Sequence, residues 1–180
     1  LHQRVVTQDV VVVQILVAAA QSVQALGDEV AQGMRDALRS ARVRERGSDG
    51  IEPTQVGLGQ AVQKTLGYFP FVVVFPQCRD QGFWAMPDMA ARAMEALEIA
   101  IRDFHGDPDR VYVTGNSMGG FGTWYLAARN PGRFAALAPI CGGVRPPPFA
   151  RIPKSEQIID LDGDPYASMA AKIGQTPTWI

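Results

Sequence analysis

Between residues 69 and 140 the chain alternates short, wholly apolar runs with longer stretches of helical periodicity, and few architectures accommodate that alternation. Phe69–Phe75 (FPFVVVF) carries three consecutive valines and no polar residue before Pro76 closes it. A strand without polar alternation has no face for water, so it belongs in a sheet covered on both sides. Val111–Thr114 (VYVT) and Phe134–Ile140 repeat the signal. Pro87–Phe104, between the first two, spaces Ala90, Met94, Leu97, Ile101 and Phe104 as one helical stripe, with Arg92, Glu95, Glu98, Arg102 and Asp103 opposite. Pro87 suits a first helical turn, and Gly106 and Pro108 end the pattern. Met118–Arg129 reads as a second helix, stopped at Asn130-Pro131-Gly132. Strand, helix, strand, helix, strand specifies an α/β fold, a mostly parallel sheet with crossover helices.

The flanking segments are less constrained. Val10–Val17 reads as a further buried strand, Gln21–Arg44 has weak helical spacing, and residues 47–60 read as loop. Ala61–Leu66 and Ser168–Ile173 suit short helices, Gln77–Trp84 a loop, and Thr176–Ile180 the start of another strand.

With 47% hydrophobic and 19% charged residues, the 180-residue chain is globular in composition. A net charge of −1 gives no basic field to hold nucleic acid. The longest apolar stretch, Val10–Ala20, is interrupted by Gln14 and falls short of the roughly 20 residues a membrane span needs. An apolar run of that length would also suit a signal peptide, but with Asp9 directly before it a buried strand is the expected reading. Two cysteines (Cys78, Cys141) and two distant histidines (His2, His105) make neither a disulfide framework nor a metal cluster, and both thiols are expected buried and free.

Chemistry concentrates in VYVTGNSMGGFGTW, where Gly115-Asn116-Ser117-Met118-Gly119 forms a G-x-S-x-G. The pattern follows an expected strand and opens an expected helix, the context of a nucleophile elbow. Such a serine must take a strained backbone so that its hydroxyl leaves the sheet, which requires small neighbours. Gly115, Gly119 and Gly120 supply them, and the N–H of Met118 at the helix start would be one oxyanion donor. The competing reading is a glycine-rich phosphate turn. Ser117 breaks a G-x-G-x-x-G, and no Gly-Lys-Ser/Thr is present.

FPFVVVFPQC followed by DPDRVYVTGNSMGGFGTWYLAARNPGRFAALAPICGG closely resembles the esterase/phospholipase-like branch of the α/β-hydrolases. That branch is related to dienelactone hydrolases, polyhydroxyalkanoate depolymerases and prolyl oligopeptidase catalytic domains. The resemblance is strong over about residues 45–143 and extends more weakly over 164–180. It implies Ser117 as acyl-accepting nucleophile and ester hydrolysis through an acyl-enzyme, with a small-molecule ester as substrate and neither metal nor organic cofactor. Gln77, Cys78 and Trp84 follow a strand's C-terminal end and would line a substrate pocket, with packing an equal alternative for Trp84.

The sequence departs from that family twice. The His-Gly expected before Glu45-Arg46-Gly47 is absent, so residues 1–44 read as a divergent segment and 45–180 as an incomplete hydrolase domain. No histidine follows Ser117, although the fold orders its triad Ser, acid, His. The expectation is therefore a partial α/β-hydrolase fold lacking its last strands and helices, and a chain with little activity alone. A non-catalytic hydrolase-derived protein and a peptidase of the prolyl oligopeptidase type stay open as alternatives. Asp160, Asp162 and Asp164 read as turn residues, and Trp124 and Tyr125 as core.

Overall fold

A computed structural model of the protein describes residues 13–19, 62–64, 71–79, 82–148, 150 and 152–180. The expected helix in 21–44 and loop in 47–60 lie outside these residues. Residues 62–64 are helical, inside the short helix expected there. The described elements are β1 (Val13–Ala19), β2 (Phe71–Val74), α1 (Pro87–Phe104), β3 (Gly106–Asn116), α2 (Met118–Arg129), β4 (Ala136–Ile140), a 3-10 turn (Lys154–Glu156) and α3 (Pro165–Ile173).

The four strands form one sheet in the order β2-β1-β3-β4. β3 and β4 run parallel, with Val113 opposite Leu137 and Asn116 opposite Ile140. β1 is antiparallel to both its neighbours, pairing Ile15 with Val74 on one side and with Val113 on the other. β2, β3 and β4 therefore share one direction, with β1 alone reversed. The strand expected at Val10–Val17 lies at Val13–Ala19, so part of the segment before residue 45 is hydrogen-bonded into the same sheet as the rest. Thr176–Ile180 was expected to begin a strand. It pairs with β4 through one parallel bridge, Thr178 to Leu137, with Leu137 N–H donating to the Pro177 carbonyl and Trp179 N–H to that of Leu137.

α1 begins at Pro87 as expected, but its terminator differs. His105 adopts a left-handed conformation (φ 52) and its N–H bonds to the Ile101 carbonyl, releasing Gly106 to open β3. The buried stripe is also offset from the one expected: Met89, Ala90, Ala93, Leu97 and Ala100 face inward. Alanines at 93 and 100 let the helix lie close to the sheet, and Met94, Ile101 and Phe104 flank the contact.

α2 is the hub of the fold. Leu126 and Ala127 join Leu97, Val111, Val113 and Leu137 in one apolar cluster with the sheet and α1. Trp124, Tyr125 and Ala128 join Val144, Ile159 and Met169 in a second cluster under the 144–159 segment and α3. Each such fully buried large side chain contributes about 1.5–3 kcal/mol relative to exposure, so α2 is held from two directions. The three aspartates near residue 160 are structural, as expected. Asp160 accepts from Gly163 N–H, Asp162 pairs with Lys154, and Asp164 caps α3 by accepting from Tyr166 and Ala167 N–H. Among the described residues, no helix is long and apolar enough to cross a membrane.

Candidate active site

β3 ends at Asn116 and α2 begins at Met118, which leaves Ser117 as the single residue of the turn. Its backbone is in an unusual conformation, φ 55 and ψ −114, and the turn is tight enough to demand glycine around it. A Cβ added at Gly115 would meet the backbone carbonyl and Cα of Gly119. One added at Gly120 would stand 2.6 Å from the Ile140 carbonyl oxygen and 2.7 Å from Gly142 Cα. A residue with positive φ that is not glycine costs on the order of 1–3 kcal/mol and persists only where its surroundings fix it.

Those surroundings are specific. Ser117 N–H donates to the Ile140 carbonyl at 2.8 Å, while its own carbonyl accepts from Gly120 N–H (2.9 Å) and Phe121 N–H (3.2 Å). Trp124 Nε1 donates to the Gly142 carbonyl, and Thr123 Oγ1 to that of Gly119. The start of α2 is thus fastened to the end of β4. The Ser117 hydroxyl makes no capping bond, because a serine caps a helix from an extended backbone and this one is not extended. Met118, as first helical residue, has an N–H with no intrahelical acceptor. A half-buried Ser117 whose hydroxyl is uncommitted to the helix thus stands beside a helix-start N–H, two groups a carbonyl could meet together.

The neighbouring residues divide clearly. β2 shares the direction of β3, so Gln77 and Cys78 lie beyond the sheet end that carries Ser117, two strand spacings or about 10 Å across. Both are half-buried. Burial, and then the charge of Asp88, push the Cys78 thiol up to about 12, so it remains protonated and is a poor nucleophile. Trp84 is wholly buried in the core, which makes it packing rather than a pocket wall. Trp124 and Tyr125 are core as well. Asn116 is exposed at the end of β3.

Cys141 corrects an expectation. It is exposed, with φ 51, and immediately follows β4. The parallel register puts it one strand spacing, about 5 Å, from Ser117. Burial fails because the chain must turn sharply away from the sheet so that Gly142 can lie against Gly120. Sequence reasoning passed over this Cys-Gly-Gly turn, although two glycines after an apolar run signal close backbone approach. It also passed over Phe121, one helical turn beyond the serine.

His105, the histidine among the described residues, lies far from Ser117. They lie at opposite ends of β3, whose regular part alone, Val111 to Asn116, spans roughly 17 Å at the rise of an extended strand. Among the described residues, no group of three or more His, Cys, Asp or Glu is placed to hold a metal ion.

No protein-family model matches the chain. Poly(3-hydroxyalkanoate) depolymerase C of Paucimonas lemoignei is 60% identical to it over 86 residues, covering 41% of this chain and 21% of that protein. The chain thus spans about a fifth of that curated relative's length.

Proposed function

We propose that this chain carries the nucleophile of a carboxylic ester hydrolase, with Ser117 as the attacking residue and residues 45–180 as the part that presents it. The observation that carries the reading is the backbone of Ser117: positive φ at a strand-to-helix turn, with the hydroxyl left out of helix capping. In the reaction, Ser117 Oγ adds to the ester carbonyl carbon, its proton passes to a base, and the carbonyl oxygen takes up negative charge. The Met118 N–H meets that oxygen at the positive end of α2. As the carbonyl re-forms and the C–O bond breaks, the base returns that proton to the leaving oxygen, which departs as the alcohol and leaves an acyl-serine that water hydrolyses. An ester substrate is in keeping with the relative, a poly(3-hydroxyalkanoate) depolymerase by name.

Among the described residues, no histidine stands near Ser117 to serve as that base. His105 is too distant, and no histidine follows Ser117 in the 180 residues. A serine hydrolase without its imidazole retains only about 10³–10⁴ over water. The chain alone is therefore expected to hydrolyse esters at the edge of detection. Imidazole added to the solution supplies the absent base. Its addition is expected to accelerate p-nitrophenyl butyrate hydrolysis by the native chain above the imidazole-only rate, and to leave Ser117→Ala at that rate. Equal rates for the two proteins at every imidazole concentration would favour the reading of a hydrolase-derived protein without catalysis. Cleavage of a proline-containing peptide amide in preference to the ester would favour the peptidase.

A further inference from the structure

We infer that Phe121 determines substrate specificity at this site, its ring forming the apolar seat for the aliphatic group of an uncharged carboxylic ester. The inference rests on the reading of Ser117 as the nucleophile, and it begins from the exposure pattern of α2. From Gly122 to Ala128 every residue of that helix is buried, and so are Gly119 and Gly120. Met118 and Phe121, three residues apart on one face, are the half-open side chains of its first turns. The side of α2 that solvent reaches beside Ser117 is therefore a thioether and a phenyl ring.

The direction of that ring follows from helix geometry. Side chains on an α-helix lean toward its N-terminus, so Phe121 covers the turn before it. That turn is Ser117, whose carbonyl accepts from Phe121 N–H. The ring is held on two sides. Phe83, itself buried, packs against it at 5.6 Å between centroids with a 55° tilt. At its far edge, a Cβ on Gly143 would stand 3.3 Å from Phe121 Cε1 and 3.6 Å from Cζ. Gly143 follows Cys141 and Gly142, the turn that lies against the serine. The ring is thus held between the buried Phe83 and the Gly143 turn at the rim of the site. Met118, Ile140 and Cys141, its neighbours along α2 and the end of β4, are uncharged, and Arg145, whose carbonyl lies near the same Gly143 edge, donates its guanidinium to the Leu161 carbonyl. A thioether and a phenyl ring favour an aliphatic chain over a charged group.

The effect is readable as chain-length preference. Burying one methylene is worth about a fourfold change in affinity at ~0.8 kcal/mol. The native protein is expected to prefer p-nitrophenyl butyrate over the acetate by roughly 10-fold in the imidazole-supported reaction, and Phe121→Ala by no more than about threefold. A second measurement does not depend on catalysis. Binding of 2-hexanone, a ketone that cannot be hydrolysed, is followed by its effect on protein aromatic proton resonances. It is expected to weaken about 10-fold or more in Phe121→Ala, to return in Phe121→Leu, and to be retained in Ser117→Ala. Melting temperatures of the variants establish that each is folded. Equal ketone affinity in the native protein and a folded Phe121→Ala overturns the inference, whatever the turnover. Phe121-dependent ketone binding without Ser117-dependent turnover keeps the seat and rejects the nucleophile.

Discussion

Replacing Gly120 by alanine tests whether the Ser117 turn is locked by backbone contact. The added Cβ would lie 2.6 Å from the Ile140 carbonyl oxygen and 2.7 Å from both Gly142 Cα and Gly142 N, all main-chain atoms that cannot rotate aside. Ordinary contact begins near 3.4 Å, so the Ile140–Gly142 turn must retreat by about 0.8 Å, an overpacking that typically costs 1–3 kcal/mol. The same retreat stretches the 2.8 Å bond from Ser117 N–H to the Ile140 carbonyl beyond useful length. Losing that bond adds roughly 1 kcal/mol. The expected destabilisation is thus about 2–4 kcal/mol, a shift of about 1–2 M in the urea midpoint for a slope near 2 kcal/mol per M. Fluorescence of the buried Trp84 and Trp124 follows the transition. Gly132→Ala is the control. Gly132 has φ 75 and an added Cβ would have nothing within 4 Å, so it carries left-handed strain alone, about 1–2 kcal/mol. A Gly120→Ala midpoint no lower than that of Gly132→Ala would refute the argument.

Three further expectations follow from the same structure. A thiol reagent at neutral pH should modify Cys141 rapidly and Cys78 slowly, since one is exposed and the other is half-buried with its thiol pushed up to about 12; mass spectrometry after partial reaction identifies the order, and equal rates would contradict it. Asp107 is held below the ordinary carboxylate range by its hydrogen bond from the Arg110 side chain and then by the Asp109 N–H. Its contribution is therefore full above the unfolded value of about 4 and lost as pH falls through the lower folded value, so Asp107→Asn should be less stable than the native chain at pH 7 and converge with it in acid, read from urea midpoints at both pH values. The Tyr125 hydroxyl is buried and finds no hydrogen-bond partner among the described residues, so Tyr125→Phe is expected to be neutral or to stabilise by up to about 1–2 kcal/mol, and a loss of more than 1 kcal/mol in thermal unfolding would show that the hydroxyl is satisfied.

The middle of the chain was legible because its local signals agree with one another. Phe71–Val74, Pro87–Phe104 and Met118–Arg129 stand within or at the expected bounds, since apolar runs, proline and glycine each point to the same boundaries. The strained serine was legible for the same reason, a hydroxyl residue between a β-branched run and a glycine-rich helix start. The reversed direction of β1 was not, because an apolar run looks identical from either end and its partners are chosen by tertiary contact. The exposure of Cys141 was also hidden: thiols are buried by default, and only the Gly120–Gly142 contact shows why the chain turns outward there. For α1, the helical period was right, but the centre of the buried stripe depended on how closely alanines approach a sheet.

The reversed strand has a consequence for how the molecule assembles. β3, α2 and β4 are contiguous in sequence, and their contacts close short loops. β1 pairs with residues roughly 55 to 100 positions away on its two sides. Loop closure of that length is entropically costly and slow compared with local helix and turn formation. The turn bearing Ser117 can therefore take shape while the slot between β2 and β3 is still empty. Until β1 arrives, β3 presents an unpaired edge, the kind of surface that recruits a strand from another molecule. Refolding yield should consequently fall with protein concentration, because the intramolecular arrival of β1 competes with second copies for the same slot.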